Sequence, residues 1–404
     1  IKVKPFYHLD DATPTASVAP DSDWNIGQAI YVQNAKAANT KALDVLNRGA
    51  EDIVFIVASE EIEVSELFQD IQLETTTIYF NFEFLSSNYI QKIIDFVGKV
   101  DAKIHLNIDI IGNLAETGNW YFDLKKDHIL LEEIQQKIAN KKQFTFLGVN
   151  VGLYQNAGAN MAQQLAYALA HANEYLNHFK EQTKQIVFKV SVGGNYFFEI
   201  AKLRALRLLW KSLAAEYGIE TNCTIFAQPS KRNKTLYDYN VNMLRTTTET
   251  MASALGGADT VCNLPYDAIY HKDNEFGERI ARNQLLILKK ESYLDAVQNP
   301  AEGAYYIEAL TKQLAEKALE LFKNIESKGG FLALLKSHSI QKKTKESASK
   351  EQQLFNDGNE VLVGTNKYVN TNDRIKDDLE LFPFVKTNPR KTLIEPIIEK
   401  RMAE

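Results

Sequence analysis

Two cysteines, nine prolines and four methionines in 404 residues are a small allotment, and each scarcity removes a class of protein. Cys223 and Cys262 stand far apart with no Cys-x-x-Cys spacing. That excludes a disulfide framework and a thiolate zinc site, and it suits a reducing, cytoplasmic setting. Nowhere do roughly 18 apolar residues run together, so the sequence encodes no membrane span. The start lacks a basic segment followed by an apolar one, so no secretory leader is expected. Long basic runs are missing too, and with a formal net charge of -6 the chain offers no counter-surface to a nucleic-acid backbone or an anionic membrane. The sequence opens at Ile1 rather than at methionine, from which an N-terminal piece outside it is expected.

What is present is a rhythm. Eight short runs rich in Val, Ile and Phe recur, at residues 28–33, 53–57, 77–82, 104–109, 144–150, 186–192, 223–228 and 258–262. Their composition fits strands covered on one or both faces. Between them the spacing turns helical: Ile200, Leu203, Leu206, Trp210 and Leu213 fall three or four apart, as do Ile307, Leu310 and Leu314. Ser86 and Ser87 stand where a helix N-cap belongs, and Gly218 where one should end. Eight strand–helix units close most economically as a (β/α)8 TIM barrel; a doubly wound open sheet is the alternative. We expect an N-terminal arm over residues 1–25, a barrel over 26–328 and an irregular extension over 329–404, Lys/Ser/Gln-rich from Ser337 to Gln353, with Pro383, Pro389 and Pro396 further on.

Barrel chemistry belongs at the carboxyl ends of the strands, and the inventory there is thin. No histidine is paired with a carboxylate in the segments 151–159, 193–196, 228–234 or 263–267. Gly193-Gly194 reads as backbone geometry more than as a phosphate cradle. Lys231, Arg232 and Lys234 read as a solvated rim, with phosphate contact the rival reading. His171 and His178, seven apart on a helix, do not make the i, i+4 pair that metals favour. His105, inside the fourth run, reads as a satisfied interior imidazole, and the two cysteines as small buried hydrophobes. No metal site is expected.

Three segments carry a family resemblance: NYFFEIAKLRALRLLW at 195–210, NMLRTTTETMASALGGA at 242–258 and RIARNQLLILKKESYLDAVQNPAEGAYY at 279–306. They resemble the methylmalonyl-CoA mutase family, and the likeness runs with weaker stretches to residue 366. The resemblance implies a barrel that threads the pantetheine arm of coenzyme A along its axis, and an adenosylcobalamin-dependent rearrangement of methylmalonyl-CoA and succinyl-CoA. Family catalytic chains carry Gly-Tyr-His-Met-x-Glu-Ala-Gly-Ala after the fifth strand. Aligned on Ala157-Gly158-Ala159, this chain has Gly152 and Leu153 where the Tyr and His would stand, and neither can donate a proton. The cobalt-ligating Asp-x-His-x-x-Gly pattern is also missing, since none of the seven histidines follows an aspartate by two positions. The family's Gln-Thr-Ser-Gly is here Gln228-Pro-Ser-Lys231, which leaves Gln228, Ser230 and Asn195 as vestigial substrate-binding candidates.

The resemblance therefore implies the family's small, non-catalytic subunit: a barrel without a C-terminal Rossmann-like cobalamin domain, partnered with a homologous large catalytic chain that binds adenosylcobalamin and the acyl-CoA. The alternative is a catalytic acyl-CoA mutase barrel whose cobalamin domain is a separate polypeptide. That reading requires the Tyr-His pair which Gly152 and Leu153 replace.

Overall fold

The structure is a computed structural model that describes residues 1–11, 20, 23–180, 183, 185–372, 379–381 and 392–397. Eight parallel strands close into one barrel in sequence order: β1 Asn25–Val32, β2 Asp52–Val57, β3 Thr77–Phe82, β4 Lys103–Ile108, β5 Phe144–Asn150, β6 Ile186–Val192, β7 Thr224–Pro229 and β8 Thr260–Cys262. The sequence runs match these strands to within three residues at either end. Pairing of β1 with β8 closes the ring through Asn25, Ile26 and Gly27. This is the barrel expected, not an open sheet.

The helices form the outer layer. In chain order they are α1 Ala35–Asn47, α2 Val64–Leu67, α3 Ser87–Val97, α4 Ile110–Thr117, α5 Leu124–Ile138, α6 Val151–Asn156, α7 Met161–Phe179, α8 Tyr196–Glu216, α9 Val241–Leu255, α10 Glu275–Leu286, α11 Tyr305–Ser327, α12 Phe331–Lys336 and α13 Ser339–Asn356. Ser86 caps α3 by accepting from Tyr89 N–H. In α8 the periodic residues Ile200, Leu203, Leu206 and Trp210 are all buried, and in α11 so are Ile307, Leu310 and Leu314. Helices such as α1, α5, α7 and α9 pack on the strands and cover the outer face of the sheet, while α11 lies on α7 and α8, and α13 on α12. None of the described helices is long and apolar enough to cross a membrane.

One expectation needs correction. The Lys/Ser/Gln-rich stretch from Ser337 to Gln353 reads as linker-like, yet residues 339–356 form the helix α13. Composition misleads here because only four side chains, Ile340, Gln341, Thr344 and Ala348, turn inward, and just two of them are apolar. A stripe that narrow still suffices where specific bonds reinforce it. Gln163 Nε2 donates to the Lys343 carbonyl, and Ser347 Oγ to Gln163 Oε1. Gly158, at a φ of +95°, leaves the notch that Ala348 fills: a Cβ there would lie 2.5 Å from the Ala348 Cβ. In the short apolar run Glu360–Gly364 only Leu362 and Gly364 are buried. Pro383 and Pro389 lie outside the described residues.

Candidate functional site

The barrel interior is built in layers. The lower layer is closed. Tyr79 on β3 and Phe226 on β7 come from opposite sides of the ring, and their ring centroids meet 5.1 Å apart. His105 on β4 stacks on Tyr79 at 4.6 Å. Val54, Val187 and Cys262 complete this interior cluster. Beneath it, Tyr79 Oη and Thr260 Oγ1 share a hydrogen bond of 2.8 Å, Thr260 Oγ1 donates to Asp52 Oδ2, and Asn25 Nδ2 donates to Asp52 Oδ1. Three rings across a bore filled at van der Waals contact leave no axial passage.

Burial pushes the Asp52 carboxyl up to about 6, against the lowering pull of its Thr260 and Asn25 hydrogen bonds. It pushes the His105 imidazole down to about 3, with Lys103 adding to the effect, so this ring is neutral at physiological pH. His105 is interior, as expected. It is not satisfied: neither ring nitrogen has a hydrogen-bond partner, because the neighbours that the barrel alternation puts beside it are aromatic and aliphatic.

Two residues further along the same strands lies the upper layer, with Asn81 on β3, Asn107 on β4, Lys189 on β6 and Gln228 on β7. All four are half-buried, so water reaches them from the mouth. Asn107 takes a φ of +47° at a register shift between β4 and β5. Gly148 permits it, since a Cβ there would stand 2.9 Å from the Asn107 Cα.

After β5 the chain enters α6, and this is where Gly152 and Leu153 sit. Asn150 caps α6 by accepting from Leu153 N–H, and its own N–H donates to Asp109 Oδ2. A Cβ at Gly152 would meet Ser191 Oγ at 2.6 Å. Leu153 is 2 % exposed and belongs to the main hydrophobic core. Neither position opens onto the mouth. The phenol of Tyr154 also turns away, sharing a 2.8 Å hydrogen bond with His171 Nδ1. The other ring nitrogen of His171 lies 2.8 Å from Asp109 Oδ1, which further accepts from Tyr175 Oη and Gly112 N–H. Burial works to raise Asp109, but the His171 ring and these hydrogen bonds outweigh it and hold the carboxyl below its usual value. Phe331 of α12 stacks on His171 and seals the cluster.

The three vestigial candidates do not converge. Gln228 faces the mouth from β7, whereas Ser230 is fully buried behind it, donating to Gln155 Oε1. Asn195 is exposed on the edge of a separate cleft of about 1360 Å³ outside the bore, where Arg245, Lys317 and Leu362 also lie. That volume exceeds the usual range of small-molecule pockets. The basic triplet is not a solvated rim throughout: Lys231 is exposed, but Arg232 pairs with Glu351 of α13 and Lys234 is buried against Glu249. Buried cations need such partners. The Gly193 N–H is taken by Glu199 Oε1, which removes it from any phosphate cradle. His178 pairs with Glu132, apart from His171, and both cysteines are buried. Sequence reasoning missed Tyr79, Phe226, Asp109 and Lys189. For Lys189 a signal existed, because it is the one charged residue in a run that is otherwise apolar but for Ser191.

A closed (β/α)8 ring with helices between its strands is the architecture, and sequence comparison supplies the family. The family model described as methylmalonyl-CoA mutase matches residues 54–393, and the chain belongs to that family. Among its relatives is a methylmalonyl-CoA mutase small subunit of Porphyromonas gingivalis, 35% identical over an alignment covering 94% of this chain and 66% of that one. Another small subunit, from Propionibacterium freudenreichii subsp. shermanii, is 27% identical across 79% of this chain and 52% of its own. A methylmalonyl-CoA mutase large subunit of P. gingivalis is 28% identical across 68% of this chain and 39% of its own. The chain thus spans two thirds or less of the length of each of these relatives.

Proposed function

We propose that this chain is the small, non-catalytic subunit of a cytoplasmic methylmalonyl-CoA mutase, supporting a homologous large chain that interconverts methylmalonyl-CoA and succinyl-CoA. The observation that carries the reading is position 152. There the family's phenol would have to displace Ser191 from contact, and the neighbouring position has joined the core as Leu153. The floor of Tyr79, His105 and Phe226 adds to it, since a pantetheine arm needs an axial passage.

The cofactor of the family is adenosylcobalamin, and the donors of this chain do not fit it. The upper layer offers amides and an amine where an imidazole would be needed to ligate cobalt. His105 lies in the closed floor, His171 is sealed under Phe331, and His128, His178 and His271 are engaged on the outer layer. His8 lies on the exposed N-terminal arm and His338 between α12 and α13. Adenosylcobalamin and acyl-CoA are therefore assigned to the large chain, across an interface expected to exceed about 2,000 Å² of buried surface.

Expression of the two chains together and apart tests this. The pair should co-purify, carry cobalamin absorbance and turn over methylmalonyl-CoA. This chain alone should do neither of the last two. Unaided turnover by the isolated chain, or stoichiometric cobalamin bound to it, overturns the reading.

A further inference from the structure

The cleft outside the bore already holds a piece of this chain. After α13, residues 357–372 run almost wholly over the surface, and only Leu362 and Gly364 among them are buried. Leu362, 5 % exposed, lines the cleft together with Leu314 and Leu321 of α11 and Phe198 of α8. Its neighbours Val361 and Val363 are both exposed. The segment is a knob seated by one side chain.

The knob is built from its own bonds. Leu362 N–H donates to Asn366 Oδ1 at 2.8 Å, and Asn366 Nδ2 donates to the Glu360 and Phe355 carbonyls. Thr365 N–H and Asn366 N–H both donate to the Leu362 carbonyl, and Gly364 N–H to that of Lys367. Asn366 thus ties up backbone groups that no strand or helix serves. The attachment to the barrel is far sparser. Among the described residues a single hydrogen bond joins 360–367 to it, from Arg245 Nη2 to the Val363 carbonyl at 2.7 Å. Gly364, at a φ of +82°, adds close contact, since a Cβ there would lie 2.7 Å from the Asp238 Cβ. One leucine and one hydrogen bond are worth much less than the cooperative stability of a domain. The seat can therefore open while the fold stays intact.

We propose that residues 360–366 are a reversible stopper, which leaves and re-enters the cleft as a preformed unit. Its departure frees one Arg245 N–H and the cleft surface under Leu362. This goes beyond the subunit assignment and does not depend on it.

Two measurements on the full chain separate release of an intact knob from local melting. The thiol of Leu362→Cys reports the seat, and hydrogen exchange at the Leu362 and Asn366 amides reports the bonds inside the knob. The native thiols of Cys223 and Cys262 are both buried and supply the reference for opening of the whole fold. Under native conditions Leu362→Cys should react with a disulfide reagent at least about tenfold faster than they do, because its seat opens at smaller cost. Low urea should hardly change that rate, since release of a knob exposes little surface. The amides of 360–366 should stay protected meanwhile. Arg245→Met in the same background should speed labelling about fivefold, as loss of one hydrogen bond implies. Gly364→Ala, which crowds Asp238, should act in the same direction. Labelling of Leu362→Cys no faster than of the native thiols overturns the proposal, because the seat then opens only with the fold. Amide protection lost in step with labelling overturns it as well, because the knob then melts instead of moving. Labelling as fast as that of Val369→Cys, at an exposed position, shows an empty seat and overturns the docked state itself.

Discussion

The floor of the bore and the cluster around Asp109 each bury a carboxylate and an imidazole, yet they do so on opposite terms. In the Asp109 cluster each group faces its complement: the carboxylate receives Gly112 N–H, Asn150 N–H and Tyr175 Oη, with His171 beside it. In the floor, Asp52 is pushed towards its protonated form, and His105 is held neutral with both nitrogens unpaired. The first arrangement ties β4, α6 and α7 together. The second tolerates polarity where the fold gains only a plug. Burial alone is thus no measure of what a polar group contributes; the partners decide its sign.

That contrast can be broken at several points. The largest effect should come from Asp109→Ala, which orphans donors on three elements at once. A loss of about 3–5 kcal/mol is expected, read as a lower midpoint in urea unfolding. Asp109→Asn should lose less, because the amide oxygen still accepts.

The floor should respond in the other direction. The folded Asp52 pKa lies above its unfolded value, so its stabilising share is complete below about pH 4 and is lost as the pH rises towards 6. At pH 7, Asp52→Asn should therefore stabilise the chain by about 2–3 kcal/mol. His105 runs the opposite way. Its folded pKa is depressed to about 3, so its share is present above pH 6.5 and is lost on acidification. His105→Phe should flatten the acid limb of a pH–melting-temperature profile, and an unchanged limb would count against the buried, neutral imidazole.

The smallest expected effect tests the packing at position 152. Gly152→Ala sets a methyl 2.6 Å from Ser191 Oγ and should cost about 1–2 kcal/mol. Ser191→Ala in the same chain should recover most of it. A double-mutant cycle with no coupling would show that the serine is not what closes the space.

The architecture was open to reading from the sequence because it rests on local periodicity. Runs such as 77–82, 144–150 and 186–192 coincide with β3, β5 and β7's neighbour β6 residue for residue. Helix α13 was hidden because its inward stripe contains a glutamine and a threonine, so polar composition outweighed a four-residue period. The site was less open. Asp109 and His171 lie 62 positions apart, and nothing local announces that α7 brings the ring to the end of β4. Tyr79 and Phe226 meet across the bore only because β3 and β7 fall opposite each other in a ring of eight. Chain order could have revealed that, once closure was assumed. The unpaired state of His105 could not have been foreseen, since it depends on what every neighbouring strand turns inward.

Gly158 bears on how such chains are recognised. The glycine of the tripeptide Ala157-Gly158-Ala159 is held by a steric demand from Ala348, on a helix nearly two hundred positions downstream. A glycine in a short motif can therefore answer to a distant packing contact rather than to chemistry. Any search that scores the motif alone reads the one as the other.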